Sequence, residues 1–401
     1  MGIISCGTES EKSNPQDLSA ELDQFLETYT DEFLDLYYSS SKAQWKANTM
    51  IIEGDTAIQN AVNQADEAFA EYTGKEEFIN KAKTFLESKD QLSDLQIRQL
   101  NSILYMAANN PATVPDMVKK RIAAENAQNE KLFGFDFQID GESVSTNEID
   151  NILKNESDID KRLEAWTASK EVGKDLKSGL TELVTLRNST VQNLGYDDYF
   201  TYQVSDYGMT VQEMIDMNQG IIRDVWPLYR ELHTYLRYEL AEKYGAKTPN
   251  MLPAHWLPNR WGQDWSAEVE VEGIDLDGVL EEKGAEWLVR QSERFYISMG
   301  FDSLPKSFYE LSDLYPLKED VNYKKNNHAS AWHMDLKEDV RSLMSVEPNS
   351  EWYETTHHEL GHIYYYMEYT NPDVPPLLRG GANRAYHEAI GSMLGLAAMQ
   401  K

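Results

Sequence analysis

The sequence predicts a mostly α fold with one small β-hairpin. Three observations predict it: apolar residues recur at three- and four-residue steps along most of the chain, capping and turn residues punctuate those stripes, and only one stretch reads clearly as a strand. With 401 residues, 41% of them hydrophobic, the chain can bury a large core, which excludes disordered, collagen-like and disulfide-stapled classes. No internal linker separates domains. The expected organisation is a flexible tether over residues 1–18 and one large helical domain over 19–401.

The first stripe, Leu22, Phe25, Leu26, Tyr29, Phe33 and Leu36, draws one apolar face on a helix. Comparable stripes cover 61–72, 95–106, 149–166, 176–194 and 214–244. Thr210 followed by Glu213 fits a capping box at the start of the last of these. The pattern changes over 252–265, where Pro253, Pro258, Trp256, Trp261 and Trp265 predict a non-helical piece wedged between helices, with His255 and the tryptophans serving packing. Helix resumes over 281–299. The strand candidate is 328–334, hairpinned through Lys337-Glu338-Asp339 to 340–345.

Acidic residues outnumber basic ones 68 to 37, a formal charge of −31. Such a surface repels phosphate backbones, and no basic stripe offsets it, so nucleic acid is excluded as a partner. One cysteine, Cys6, leaves no internal disulfide. No apolar stretch reaches the ~20 residues that cross a bilayer. Ile3-Ile4-Ser5-Cys6-Gly7 looks like the cleavage box of a bacterial lipoprotein signal, in which the Cys is lipidated, and a polar segment follows it. The expectation is an exported lipoprotein, periplasmic or at the cell surface, anchored to the membrane through Cys6.

Six of the eight histidines fall between 328 and 387. Among them His358-Glu359-Leu360-Gly361-His362 gives H-E-x-x-H. On a helix, residues four apart project from one face, so both imidazoles can enter one tetrahedral zinc shell. Glu359 then stands beside the ion without binding it, placed to act as general base toward a water molecule. Trp352, Tyr353, Thr356, Leu360, Ile363 and Met367 supply the apolar face such a helix needs.

A catalytic zinc needs a third protein ligand and an open position. Arg379-Gly380-Gly381-Ala382-Asn383 leads through a glycine-rich turn into a second helix that carries Glu388, and Pro372, Pro375 and Pro376 break the chain so that this helix can fold back on the first. Glu388 is the natural third ligand, consistent with the gluzincin pattern. His387, adjacent and also a donor, is the competitor.

These segments closely resemble the angiotensin-converting-enzyme family of zinc dipeptidyl carboxypeptidases, whose second motif reads roughly R-x-G-A-N-x-x-x-H-E-A-I-G. Pro253-Ala254-His255 with Asn259, Trp261 and Trp265, and His328-Ala329-Ser330-Ala331-Trp332, match further family motifs in the right order. The resemblance implies a large helical peptidase domain with a deep cleft and a hairpin near the active site. It implies one zinc ion per chain on His358, His362 and Glu388, Glu359 as the catalytic base, and peptide substrates contacted by the His328 side chain and the Ala329 main chain.

The chain departs from the family at Ser392, where an Asp often orients a ligand histidine, and at Glu286, where a Gln lies near the substrate carboxylate. The family's catalytic domain continues beyond the position of Lys401. The further portion supplies a His and a Tyr for the oxyanion, a Lys and a Tyr for the substrate C-terminus, and most positions tied to chloride dependence. The expected function is release of C-terminal dipeptides by a C-terminally incomplete peptidase. The alternative is a catalytically impaired fragment that binds zinc and peptide.

Overall fold

The computed structural model describes residues 15–400 apart from 53, 264, 266, 267, 269–274, 319 and 320. Cys6 lies outside the described residues. Within them the fold is mostly α with two small antiparallel hairpins, and no helix is long and apolar enough to cross a membrane.

The first stripe forms α1 (Pro15–Thr49), which buries Leu22, Phe25, Leu26, Tyr29 and Phe33. These residues pack on Tyr72 of α2 (Thr56–Thr73), Ala82 and Phe85 of α3 (Glu76–Leu86), and Leu100 and Ile103 of α4 (Asp94–Asn109). Side-chain caps explain where several helices start: Asp55 accepts from the amides of Ala57 and Ile58, and Ser93 with Gln96 closes a capping box. Next comes α5 (Pro115–Phe133), with proline in its first turn. Neither α3 nor α5 was marked by the stripes.

A hairpin of β1 (Phe137–Ile139) and β2 (Glu142–Val144) corrects the expectation of a single strand region. Asp140 and Gly141 both take positive φ, 54° and 83°, as a type I′ turn requires. The expected helix over 149–166 is two, α6 (Thr146–Asn155) and α7 (Ile159–Lys170), because Asp158 leaves the helix to cap the second. Then follow α8 (Val172–Gln192), α9 (Tyr199–Ser205) and α10 (Val211–Lys243), the last opened by the predicted Thr210–Glu213 capping box.

The proline- and tryptophan-rich segment is wedged at Trp256 as predicted, but Trp261 is 64% exposed, which corrects the expectation that all three tryptophans serve packing. Trp256 and Leu257 are buried against Leu236 and Leu240 of α10. The buried Arg162 guanidinium donates to the carbonyls of His255, Trp256 and Leu257, which satisfies main-chain acceptors that no regular ladder reaches. The helix expected over 281–299 starts earlier and breaks at Gly284, giving α11 (Leu276–Lys283) and α12 (Ala285–Ser298).

After α13 (Lys306–Leu311), β3 (Ser330–His333) pairs with β4 (Val340–Leu343). The second hairpin is therefore where the sequence placed it, with His328 and Ala329 just ahead of β3 rather than within it. The chain closes on α14 (Ser350–Tyr369) and α15 (Arg384–Ala398). Leu360, Ile363 and Tyr364 of α14 share one core with Leu288, Val289 and Tyr296 of α12 and with Val340 of β4. This core fixes α14 between a helix and a hairpin.

Candidate active site

Asn349 starts α14 by accepting from the Trp352 amide, and Asn383 starts α15 by accepting from the Tyr386 amide. The two helices then approach too closely for ordinary side chains. A Cβ on Gly361 would lie 2.9 Å from the Cα of Gly391, and one on Gly391 would lie 3.0 Å from the His358 ring. These glycines let α15 lie against α14 at the level of the H-E-x-x-H turn.

That contact brings three donors together. His358 and His362 present their Nε2 atoms 3.1 Å apart. Glu388 Oε2 lies 3.4 Å from the first and 3.7 Å from the second. All three donor atoms fall within 4.8 Å of one another, a group able to hold a metal ion. A tetrahedral zinc shell with bonds of about 2.0–2.1 Å has ligand–ligand edges of about 3.3 Å, so the spacing fits that ion. His362 is 8% exposed and the Glu388 side chain 68%, so the group is walled on one side and open on the other.

Glu359 is buried beside this group, and burial first, then the Glu388 charge, raises its carboxyl to about 8. Burial and the neighbouring His358 lower the pKa of His362, against the pull of Glu388. His387 is not among the three donors. Its Nδ1 lies 2.6 Å from His362 Nδ1, behind the ring. His357 is fully buried, bonded to the Tyr353 carbonyl and to Ser292, and belongs to the core.

The group opens into a cleft of about 610 Å³ bounded by α1, β3, α14 and α15, with Tyr37, Gln44, Tyr366 and Arg384 on its walls. A second lobe of about 470 Å³ lies toward α6 and α11, with Asp150, Arg260, Asp277 and Trp352 on its walls. His328, Ala329 and Glu359 line both lobes, so the predicted substrate-contacting residues stand where the lobes meet. The hydroxyls of Tyr366 and Tyr37 donate to the carbonyls of Ala331 and His333, so alternate main-chain groups of β3 turn toward these helices and the cleft.

Tyr366 was not singled out from the sequence. The signal was present, since it follows His358 and His362 at the same four-residue step and therefore shares their helix face. Of the two departures, Ser392 is exposed and bonded to neither histidine, and Glu286 is exposed on the first turn of α12 and lines neither lobe.

The family model of angiotensin-converting enzyme, peptidase family M2, matches residues 16–401. The angiotensin-converting enzyme of Mesocricetus auratus is 28% identical over 394 residues, covering 93% of this chain and 29% of its own length. That of Theromyzon tessulatum is 26% identical over 403 residues, covering 93% of this chain and 62% of its own length. An angiotensin-converting enzyme-related protein of Drosophila melanogaster is 31% identical over 243 residues, 57% of this chain and 37% of its own. The chain thus spans between 29% and 62% of the length of these relatives. With the model matched from α1 to the last helix, the chain belongs to the angiotensin-converting enzyme family.

Proposed function

We propose that the protein is a zinc metallopeptidase that hydrolyses peptide bonds and releases C-terminal dipeptides. The observation that carries the reading is the near-tetrahedral spacing of His358, His362 and Glu388 on the wall of the larger lobe, with Glu359 beside them lining both lobes. The open side of the group leaves room for a fourth position. Zinc held there supplies Lewis acidity, polarising a carbonyl and making water nucleophilic at neutral pH.

The chain's own groups do the rest. Glu359 accepts a proton from the attacking water and delivers it to the leaving amine. Burial and the Glu388 charge raise its carboxyl to about 8, near enough to neutral pH for it to take up a proton and pass it on. An extended peptide lying along the residues ahead of β3 hydrogen-bonds the main chain of Ala329, which continues the alternation of Ala331 and His333. The His328 imidazole, exposed where the lobes meet, contacts the same peptide. The family resemblance supports dipeptide release as the mode of cleavage.

Zinc content and hydrolysis of a blocked tripeptide, compared in wild type and Glu359→Gln, test the proposal. Wild type is expected to carry one zinc and turn over. Glu359→Gln is expected to keep the zinc and lose about 10²–10⁴-fold in rate. Zinc without turnover in either protein would replace the peptidase reading with one of zinc and peptide binding, and no zinc in wild type would remove the site assignment altogether.

A further inference from the structure

We propose that His387 is a positioning residue for the metal site: it accepts a hydrogen bond from Nδ1 of His362 and thereby fixes that ring's rotation and tautomer. The inference rests on the reading of His358, His362 and Glu388 as zinc ligands.

The contact has a determined direction. Two ring nitrogens 2.6 Å apart need one hydrogen between them. For Nε2 of His362 to bind a metal it must be bare, so the hydrogen of that ring resides on Nδ1. His362 therefore donates and His387 accepts. The reverse arrangement would put a hydrogen on His362 Nε2, facing His358 and Glu388, and would close that nitrogen to a metal.

With its Nδ1 accepting, His387 carries its own hydrogen on Nε2, which is buried and has no partner among the described residues. A buried donor without a partner is a cost that packing alone does not explain, whereas the contact made by Nδ1 does. The ring packs against two aromatic neighbours of α14: its centroid lies 4.8 Å from that of Tyr365 and 4.9 Å from that of Tyr366.

The position that carries an orienting Asp in the resembling family holds Ser392 here, which reaches neither imidazole. On the other side of His358 stands Gly391, with no side chain to offer. Among the described residues, His387 is the side chain that holds a histidine of the group from behind.

The test is zinc affinity, measured by competition with a chromophoric chelator, for wild type, His387→Asn, His387→Leu and His387→Gln. Asn can place its amide oxygen near the Nδ1 position and is expected to stay within about threefold of wild type. Leu fills the space without an acceptor, and Gln carries its oxygen one bond too far. Both are expected to bind about 10–100-fold more weakly, as loss of an outer partner does. Metal-free melting of each variant reads folding separately, and the Gln variant carries the comparison if Leu fails to fold. Equal affinity in Asn and Gln, whether unchanged or equally weakened, overturns the proposal. Absence of zinc from wild type overturns the ligand reading itself and this inference with it, whereas zinc in wild type with unaltered Leu and Gln overturns the inference alone.

Discussion

Helices α14 and α10 both carry apolar stripes in the sequence, yet they meet opposite surroundings. In α14, Leu360 and Ile363 are completely buried and Tyr364 nearly so. In the middle of α10, Ile221, Ile222, Val225 and Trp226 are each more than 50% exposed, and Leu228 is 73% exposed. Only toward its end does α10 bury its stripe, where Leu236 and Leu240 meet Trp256. Periodicity therefore encodes which face of a helix is apolar, not whether a partner covers it. The contrast matters for chemistry, because donors hold a tetrahedral spacing only where packing on several sides locks their helix. In α14 that packing comes from α12, α15 and the β3–β4 hairpin.

Substitutions can break this contrast. The largest effect is expected at Leu360→Ala, which empties a fully buried site and should cost about 2–5 kcal/mol in denaturant unfolding. Acid should come next. His333, buried and stacked on Tyr366 of α14, is lowered to about 4 by burial, while Asp335 and Asp339 oppose the shift and Arg379 adds to it. Its folded value lies below the unfolded one near 6.5, so the unfolded chain takes up the proton first as pH falls. Stability from this residue is full above about pH 6.5 and is lost progressively down to about pH 4, by up to about 3 kcal/mol. Unfolding at pH 7 and pH 4.5, repeated with His333→Gln, checks the sign, since the variant should lose less on acidification. The smallest effect is expected at Ile222→Ala, within about 0.5 kcal/mol. A cost there as large as at Leu360 would mean that a partner covers α10 in solution.

Much of the site was legible because it depends on short-range geometry. The spacing of His358 and His362 and the position of Glu359 follow from the helical period, and Pro372, Pro375 and Pro376 mark the break that lets Glu388 return. The β3–β4 hairpin and the wedged segment around Trp256 were legible from local composition. The β1–β2 hairpin was missed although Asp140-Gly141 carries the turn signal, because its strands are only three residues long. The breaks at Asp158 and Gly284 were hidden inside stripes that continue on either side. The glycine contact between α14 and α15, the exposure of α10 and the place of His387 behind His362 depend on how distant helices meet, which no local pattern states.

Zinc titration of wild type against Glu388→Ala tests the central claim most directly. Three donors around one ion predict a single tight equivalent in wild type and an affinity weakened by more than about 100-fold when the carboxylate is removed, since outer partners alone contribute about 10–100-fold. Equally tight binding by both proteins, or none by wild type, would contradict the account.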